Sequence, residues 1–268
     1  MKKLVLFFLV AAFFAATFSA CGSIGANTMT LTLQPNGEES IYLAGSGTVT
    51  IDWGDGSAKE THTLTGYTLE YGLYDITGFP DRAYGYSHQY STTSVCTITI
   101  NGENITAIRS PVSSVTAIDV SKITTLQFLD CTAQKLTSLD VSKNIELIFL
   151  DCSSNQLNSL DVSRNTKLSD LRCSSNQLSN FDVSKNTELI YLYCRNNQLT
   201  SLDVSKCVKL QALSIQGNQF SSAALNALFG TLPVIRGGGV VMITDNPGTN
   251  SCNQKVAEDR GWRVSTRF

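Results

Sequence analysis

Apolar and polar positions between residues 115 and 219 recur in strict steps of 21. The five copies are VTAIDVSKITTLQFLDCTAQK, LTSLDVSKNIELIFLDCSSNQ, LNSLDVSRNTKLSDLRCSSNQ, LSNFDVSKNTELIYLYCRNNQ and LTSLDVSKCVKLQALSIQGNQ. A fixed period of this length predicts a solenoid in which each unit buries its apolar face against its neighbours. The second half of each copy reads L-x-x-L-x-C-x-x-N-x-L, and Leu150, Asp151 and Cys152 alternate in, out, in, which is the period of a strand. Each copy therefore contributes one short parallel strand, with Leu147, Leu150, Cys152 and Leu157 inward and their equivalents stacked above them. The other half, L-x-x-L-D-V-S-K-N, has no proline and no long helical pattern. It predicts an extended or turn-like return along the convex side.

Both flanks break the period. Residues 104–110 keep the strand register, with Ile105 and Ile108 at the Leu positions and Ser110 at the Cys position, so the solenoid starts there and spans 104–219. After Phe220, SSAALNALFGTLP has the Ser start and the Ala and Leu content of a helix. VVMITDNPGT reads as a strand with a turn, and SCNQKVAEDRGW as a second short helix closed by Gly261. Residues 220–268 thus form an α/β C-terminal cap over the open end of the array. Ahead of the repeats, residues 28–103 carry TMTLTLQ, GTVTIDWGDGS and HQYSTTSVCTITING. Alternating Thr, Ile and Val runs separated by Gly, Asp and Ser predict a small antiparallel sandwich. In it Trp53 is a core residue and Gly54-Asp55-Gly56 a tight turn. Turn chemistry accounts for Asp52 and Asp55 ahead of calcium ligation. The group Tyr67, Tyr71, Tyr74, Tyr84 and Tyr86 either packs on the sandwich or contacts a ligand.

The repeat resembles the leucine-rich repeat, in particular that of bacterial short-repeat proteins. Cys stands where many members carry Leu, and Asn155, Asn176, Asn197 and Asn218 stand at the family's Asn position. Ile51-Asp52-Trp53-Gly54-Asp55-Gly56-Ser57, with Ser87-His88-Gln89-Tyr90 and the strand at 95–100, is similar to the PKD-domain pattern. That resemblance implies an immunoglobulin-like fold serving as an extracellular spacer or interaction module. The stretch 67–86 is longer and richer in Tyr than the middle of that family. The implied fold class is mainly β: an N-terminal immunoglobulin-like (PKD-like) β-sandwich followed by a leucine-rich-repeat solenoid with parallel strands and an α/β C-terminal cap.

Lys2 and Lys3 precede an apolar run over residues 4–18, and residues 1–20 read as a signal peptide. Phe18-Ser19-Ala20-Cys21-Gly22 resembles the bacterial lipobox, with Phe18 where Leu is usual. The resemblance implies a lipid on Cys21, a linker over 21–27 and a membrane partner through the lipid anchor, each acyl methylene adding roughly 0.8 kcal/mol of membrane affinity. Plain secretion is the alternative, and a retained anchor a third, the run being near the shortest that spans a bilayer. As a whole the chain resembles leucine-rich-repeat lipoproteins of Bacteroidetes type. An outer-membrane lipoprotein of a Gram-negative envelope, periplasmic or surface-facing, is the implied location.

Composition narrows the function. Of the 268 residues 42% are apolar and 16% charged, with a formal charge of -2. No basic field exists to attract nucleic acid. His62 and His88 are the only histidines, and the chain has no nucleophile elbow, metal-binding His pair or phosphate-binding Gly loop. The expectation is no enzyme, no cofactor and no metal. Seven cysteines remain besides Cys21, an odd number. Cys131, Cys152, Cys173 and Cys194 form one internal column at about 4.8 Å spacing, unsuited to tetrahedral metal binding and poor for disulfides. With Ile215 at the same position they read as small buried apolar residues. A Cys207–Cys252 bridge fastening the cap is an open alternative. The columns Asp119, Asp140, Asp161, Asp182, Asp203 and Lys122, Lys143, Arg164, Lys185, Lys206 suit turn closure and mutual neutralisation.

The outward strand positions vary most. They run Phe128, Phe149, Asp170, Tyr191, Ala212; then Asp130, Asp151, Arg172, Tyr193, Ser214; then Thr132, Ser153, Ser174, Arg195, Gln216. An exposed aromatic forgoes roughly 1.5–3 kcal/mol of burial, so a contiguous set points to an interaction surface. The expected ligand-binding residues are Phe128, Phe149, Asp151, Arg172, Tyr191, Tyr193 and Arg195. They predict a monomeric, non-catalytic binding protein whose partner is a protein or, alternatively, a polysaccharide. A structural spacer is the remaining reading.

Overall fold

The computed structural model describes residues 27–65, 84–111, 114–236 and 238–266. The expected signal peptide, Cys21 and its linker up to residue 26, and Tyr67, Tyr71 and Tyr74 lie outside them. Five antiparallel-paired strands come first: β1 (Thr28–Leu33), β2 (Glu38–Asp52), β3 (Glu60–Leu64), β4 (Tyr84–Gln89) and β5 (Cys96–Arg109). Then follow β6 (Val115–Asp119), β7 (Phe128–Asp130), β8 (Phe149–Asp151), β9 (Asp170–Arg172), β10 (Tyr191–Tyr193) and β11 (Ala212–Ser214). The end of the chain adds α1 (Ser222–Thr231), β12 (Gly239–Met242), α2 (Lys255–Glu258) and β13 (Trp262–Ser265). No helix among the described residues is long and apolar enough to cross a membrane.

All these strands belong to one sheet, in the order β13-β12-β11-β10-β9-β8-β7-β5-β1-β6, with β2 on β5 and β3 and β4 on β2. From β5 to β13 the neighbours are parallel and form the solenoid. β5 runs through residue 103, where the sequence pattern divides sandwich from solenoid. Its first half pairs with β1, its last residues with β7, and its other edge with β2. The first copy departs from its successors: its return segment is a true strand, β6, antiparallel to β1. That segment has the N-terminal sheet beside it, which the later returns lack.

The rungs are short because their inward residues are few and fully used. Leu129, Leu150, Leu171, Leu192 and Leu213 are all 0% exposed, as are Cys131, Cys152, Cys173, Cys194 and Ile215 in the next column. Each buried Leu contributes on the order of 2 kcal/mol. Burial drives the thiol pKa values up, that of Cys194 to about 12, so the column holds neutral thiols. Cys131, Cys152 and Cys194 donate weakly to the carbonyls of Asp151, Arg172 and Ser214 on the next rung. All seven cysteines among the described residues are free, which rules out the Cys207–Cys252 bridge. Cys207 stands where Asn144, Asn165 and Asn186 stand in earlier copies. It sends Sγ to Val183 O at 3.6 Å as Asn186 sends Nδ2 to Val162 O at 2.9 Å, so its sulfur is engaged inside the ladder.

Two amide ladders hold the turns. Nδ2 of Asn176 donates to Cys152 O and Cys173 O while its Oδ1 accepts from Leu157 N, and Asn155, Asn197 and Asn218 repeat the pattern. Buried backbone groups left open by the turn are thereby satisfied. One residue per turn is left-handed: Ala133, Ser154, Ser175, Asn196 and Gly217, with φ of 57°, 57°, 55°, 53° and 61°. On the convex side Asp119, Asp140, Asp161, Asp182 and Asp203 each accept from the backbone N–H of the Ser two residues on, at 2.8–2.9 Å, closing the turn as their position predicts.

In the N-terminal region Trp53 is fully buried and its Nε1 donates to Glu60 at 2.8 Å. Asp52 and Asp55 accept from Gly54 N and Ser57 N, both at 3.0 Å. Gly54 has φ +79°, and a Cβ there would strike the Thr97 carbonyl. His88 stacks on Trp53 with centroids 5.1 Å apart and meets Asp55 at 2.7 Å, an arrangement that holds the Asp55 carboxyl well below its ordinary range. Tyr86 packs against the core beside His62, whereas Tyr84 is exposed.

Candidate functional site: the concave face

Register fixes which side chains share the concave face. One row runs Ala44, Ala107, Phe128, Phe149, Asp170, Tyr191, Ala212, Val240, Arg263. Beside it runs Tyr42, Arg109, Asp130, Asp151, Arg172, Tyr193, Ser214, Met242, Ser265. The face thus starts in β2, before the repeats, and ends in the cap.

Its two ends differ. Phe128 and Phe149 are 0% and 3% exposed, their rings stacked at 4.0 Å and 3° from parallel. They form a small second core with Ala44, Ala107 and the partly buried Tyr42. Their expected place on a binding surface is therefore corrected: both are packing residues. The cause is the continuation of the sheet from β7 into β5 and β2, which brings Ala107, Ala44 and Tyr42 against the rings from the N-terminal side. On the other side the Arg172 guanidinium lies 4.9 Å from the Phe149 centroid.

Arg172 closes that cluster. Its Nε and Nη2 donate to Asp170 Oδ1 and Oδ2 at 3.1 and 2.9 Å, and the guanidinium also lies 5.6 Å from the Tyr193 centroid. A guanidinium clamped by a carboxylate and two rings has lost its conformational freedom in advance. Burial pushes the Asp170 carboxyl above its ordinary range, against the pull of Arg172. Burial works against the Arg172 cation too, yet Asp170 outweighs it and the guanidinium holds its proton more tightly than usual. Asp130 is likewise pushed up by burial, with Arg109 Nε 3.3 Å away. Asp151 accepts from Ser153 N at 2.9 Å.

Beyond Arg172 the face opens. Tyr191 is 40% exposed, Tyr193 is half-buried with its phenol pKa raised by burial, and Arg195 is exposed. The structure thus brings Asp151, Arg172, Tyr193 and Arg195 together around an open depression of about 520 Å³, with Ser153, Ser174, Ser214, Gln216 and Met242 also in its wall; Tyr191 stands beside it in the first row. Met242, Val240 and Arg263 were not legible from the repeats, because the step from Ala212 to Val240 is 28 residues rather than 21. For Val240 and Met242 the β-branched run in GVVM was the available signal. Among the described residues no group of three His, Cys, Asp or Glu side chains suits a metal ion. What the depression offers is hydroxyls, an amide, a guanidinium fixed by Asp170, a second guanidinium with no ion pair among the described residues, and aromatic surface.

No family model and no curated protein matches the chain. Among solved structures it is similar to the functional domain of InlJ from Listeria monocytogenes, described as including a cysteine ladder. The identity is 28% and the TM-score 0.46, over 55% of this chain and 31% of that one. A leucine-rich-repeat protein of Leptospira interrogans is 20% identical with a TM-score of 0.42, over 55% and 44%. An internalin of Listeria monocytogenes is 22% identical with a TM-score of 0.34, over 47% and 43%. The chain spans less than half the length of each of these structures.

Proposed function

We propose that this chain is a non-catalytic binding protein that docks a protein partner on the open part of its concave face, through Asp151, Arg172, Tyr191, Tyr193 and Arg195. The observation that carries the reading is the contrast along one row. Phe128 and Phe149 are sealed inside, while Tyr191, two rungs on, leaves 40% of its surface in water. A ring so placed forgoes part of the roughly 1.5–3 kcal/mol that burial yields. Tyr and Arg are also the residues on which interface energy concentrates. The N-terminal antiparallel strands act in this reading as a PKD-like spacer, supported by the Trp53, His88 and Tyr90 motif. The lipobox-like Phe18-Ser19-Ala20-Cys21 supports an envelope lipoprotein held through Cys21.

The test is a photo-activated cross-linking residue placed at position 191 and, separately, at position 143 on the convex face, in cells that make the full chain. Discrete protein adducts at 191 and none at 143 are expected. Adducts at 143 alone would overturn the assignment of the face. Fractionation of Cys21→Ser into the soluble phase is expected if the anchor is a lipid, and unchanged membrane association contradicts it.

A further inference from the structure

The charges of the concave face are unevenly spent. In its first half Asp130 meets Arg109 and Asp170 meets Arg172. In its last rungs, β10 to β13, the outward positions carry Arg195 and Arg263, both exposed, and neither has an ion-pair partner among the described residues. No acid lies in these rows between them, where the side chains are Tyr191, Tyr193, Ala212, Val240 and Met242, with Ser214 the one polar residue among them. Two unneutralised guanidinium groups therefore flank a strip of mixed aromatic and aliphatic surface. The clamped Arg172 borders it, with only Nε and Nη2 engaged by Asp170; Asp151 on the preceding rung acts on the guanidinium by its charge, and Nη1 makes no hydrogen bond among the described residues. Arginine forks match carboxylates in pairs of parallel hydrogen bonds.

Resting on the docking reading above, we propose that this end of the face receives an extended polypeptide segment bearing two acidic side chains with apolar residues between them. One carboxylate meets Arg195 and the Nη1 edge of Arg172; the other meets Arg263; the apolar residues between them lie on Tyr193, Met242 and Val240. Arg195 and Arg263 are three rungs and two rows apart, which is roughly 20 Å, or about six residues of extended chain. The occupant is thus specified in charge, in spacing and in the character of its middle. A neutral or basic segment leaves two guanidinium groups beside apolar surface with nothing to offset their desolvation.

Selection from a library of randomised dodecapeptides displayed on their own messenger RNA, against the full chain, tests this. Enrichment of peptides with two Asp or Glu about five to seven positions apart is expected on the native chain, and loss of that enrichment on Arg195→Gln with Arg263→Gln. A synthetic selected peptide should weaken at least about tenfold when its acids become Gln, and its dissociation constant should rise with salt. Selected peptides without acidic bias, or with the same bias on the double variant, would overturn the proposal while leaving the docking reading intact. If no peptide binds the native chain and position 191 yields no adduct, the docking reading itself fails. Stronger binding of oligogalacturonate than of any selected peptide would overturn it in favour of an acidic glycan.

Discussion

Phe128 and Tyr191 occupy the same outward position three rungs apart, and they have opposite fates. Phe128 is closed in by Phe149, Ala107 and Ala44, whereas Tyr191 has Asp170 on one side and Ala212 on the other and stays open. Position in a repeat fixes direction, and the neighbouring rungs fix burial. The N-terminal strands thus do two things: they start the solenoid by lending β5 as its first rung, and they cover the start of its concave face. In the proposed reading the docking surface is therefore displaced toward the cap.

The sharpest way to break this comparison is truncation at both sites. Phe128→Ala should cost about 3–5 kcal/mol, whereas Tyr191→Ala should stay within about 1 kcal/mol, as read by urea unfolding. Similar losses at the two sites would mean that the halves are not distinct. A second contrast concerns acid. Asp130 and Asp170 on the concave side are raised by burial, whereas Asp140, Asp161 and Asp182 on the convex side are lowered by hydrogen bonds from Ser142, Ser163 and Ser184. A lowered carboxyl gives stability that is present above its unfolded pKa and is lost as pH falls through its folded pKa. A raised one works the other way, its ionisation opposing the fold as pH rises from the unfolded to the folded pKa. Carboxyl-detected NMR should find the convex aspartates titrating below the ordinary aspartate range and the concave pair above it. The opposite order would contradict the burial argument.

Smaller effects come from the turns and the interior. Ala133 is held at φ 57°, which disfavours any side chain by roughly 1–2 kcal/mol, and Gly loses about 0.5–1 kcal/mol in chain entropy. Ala133→Gly should therefore raise stability by about 0.5 kcal/mol, seen as a small rise in Tm; a fall would mean that the methyl group supplies packing worth more than the strain. Cys173→Val is expected to cost less than about 1.5 kcal/mol, since the column asks only for a small apolar group. Failure of that variant to fold would show a specific need for sulfur.

The strand positions of the array were legible because the 21-residue period places every inward Leu and Cys without reference to the rest of the chain. The Asp turns were legible for the same reason. Burial of Phe128 and Phe149 was not, because it depends on Ala44 and Tyr42, more than 80 residues earlier and outside the period. The left-handed positions were hidden too: Ala133, Ser154 and Ser175 carry no side-chain signal, and only Asn196 and Gly217 hint at the backbone they share. Cys207 was readable in hindsight from SKN giving way to SKC in the last copy. Its hydrogen bond to Val183 O explains why a thiol is tolerated there. Of the expected site, Asp151, Arg172, Tyr191, Tyr193 and Arg195 remain on accessible surface.

The most direct test compares Tyr191→Ser with Tyr193→Ser in one chain against Lys143→Ser with Lys185→Ser in another, using the partner recovered by cross-linking at position 191. The open-face pair should weaken binding at least about a hundredfold, the loss of some 2.7 kcal/mol or more expected of two hot-spot rings, with Tm lowered by only a few degrees. The convex pair should leave binding unchanged. Intact binding in the tyrosine variant, or lost binding in the lysine variant, would contradict the assignment of the docking surface to the open end of the concave face.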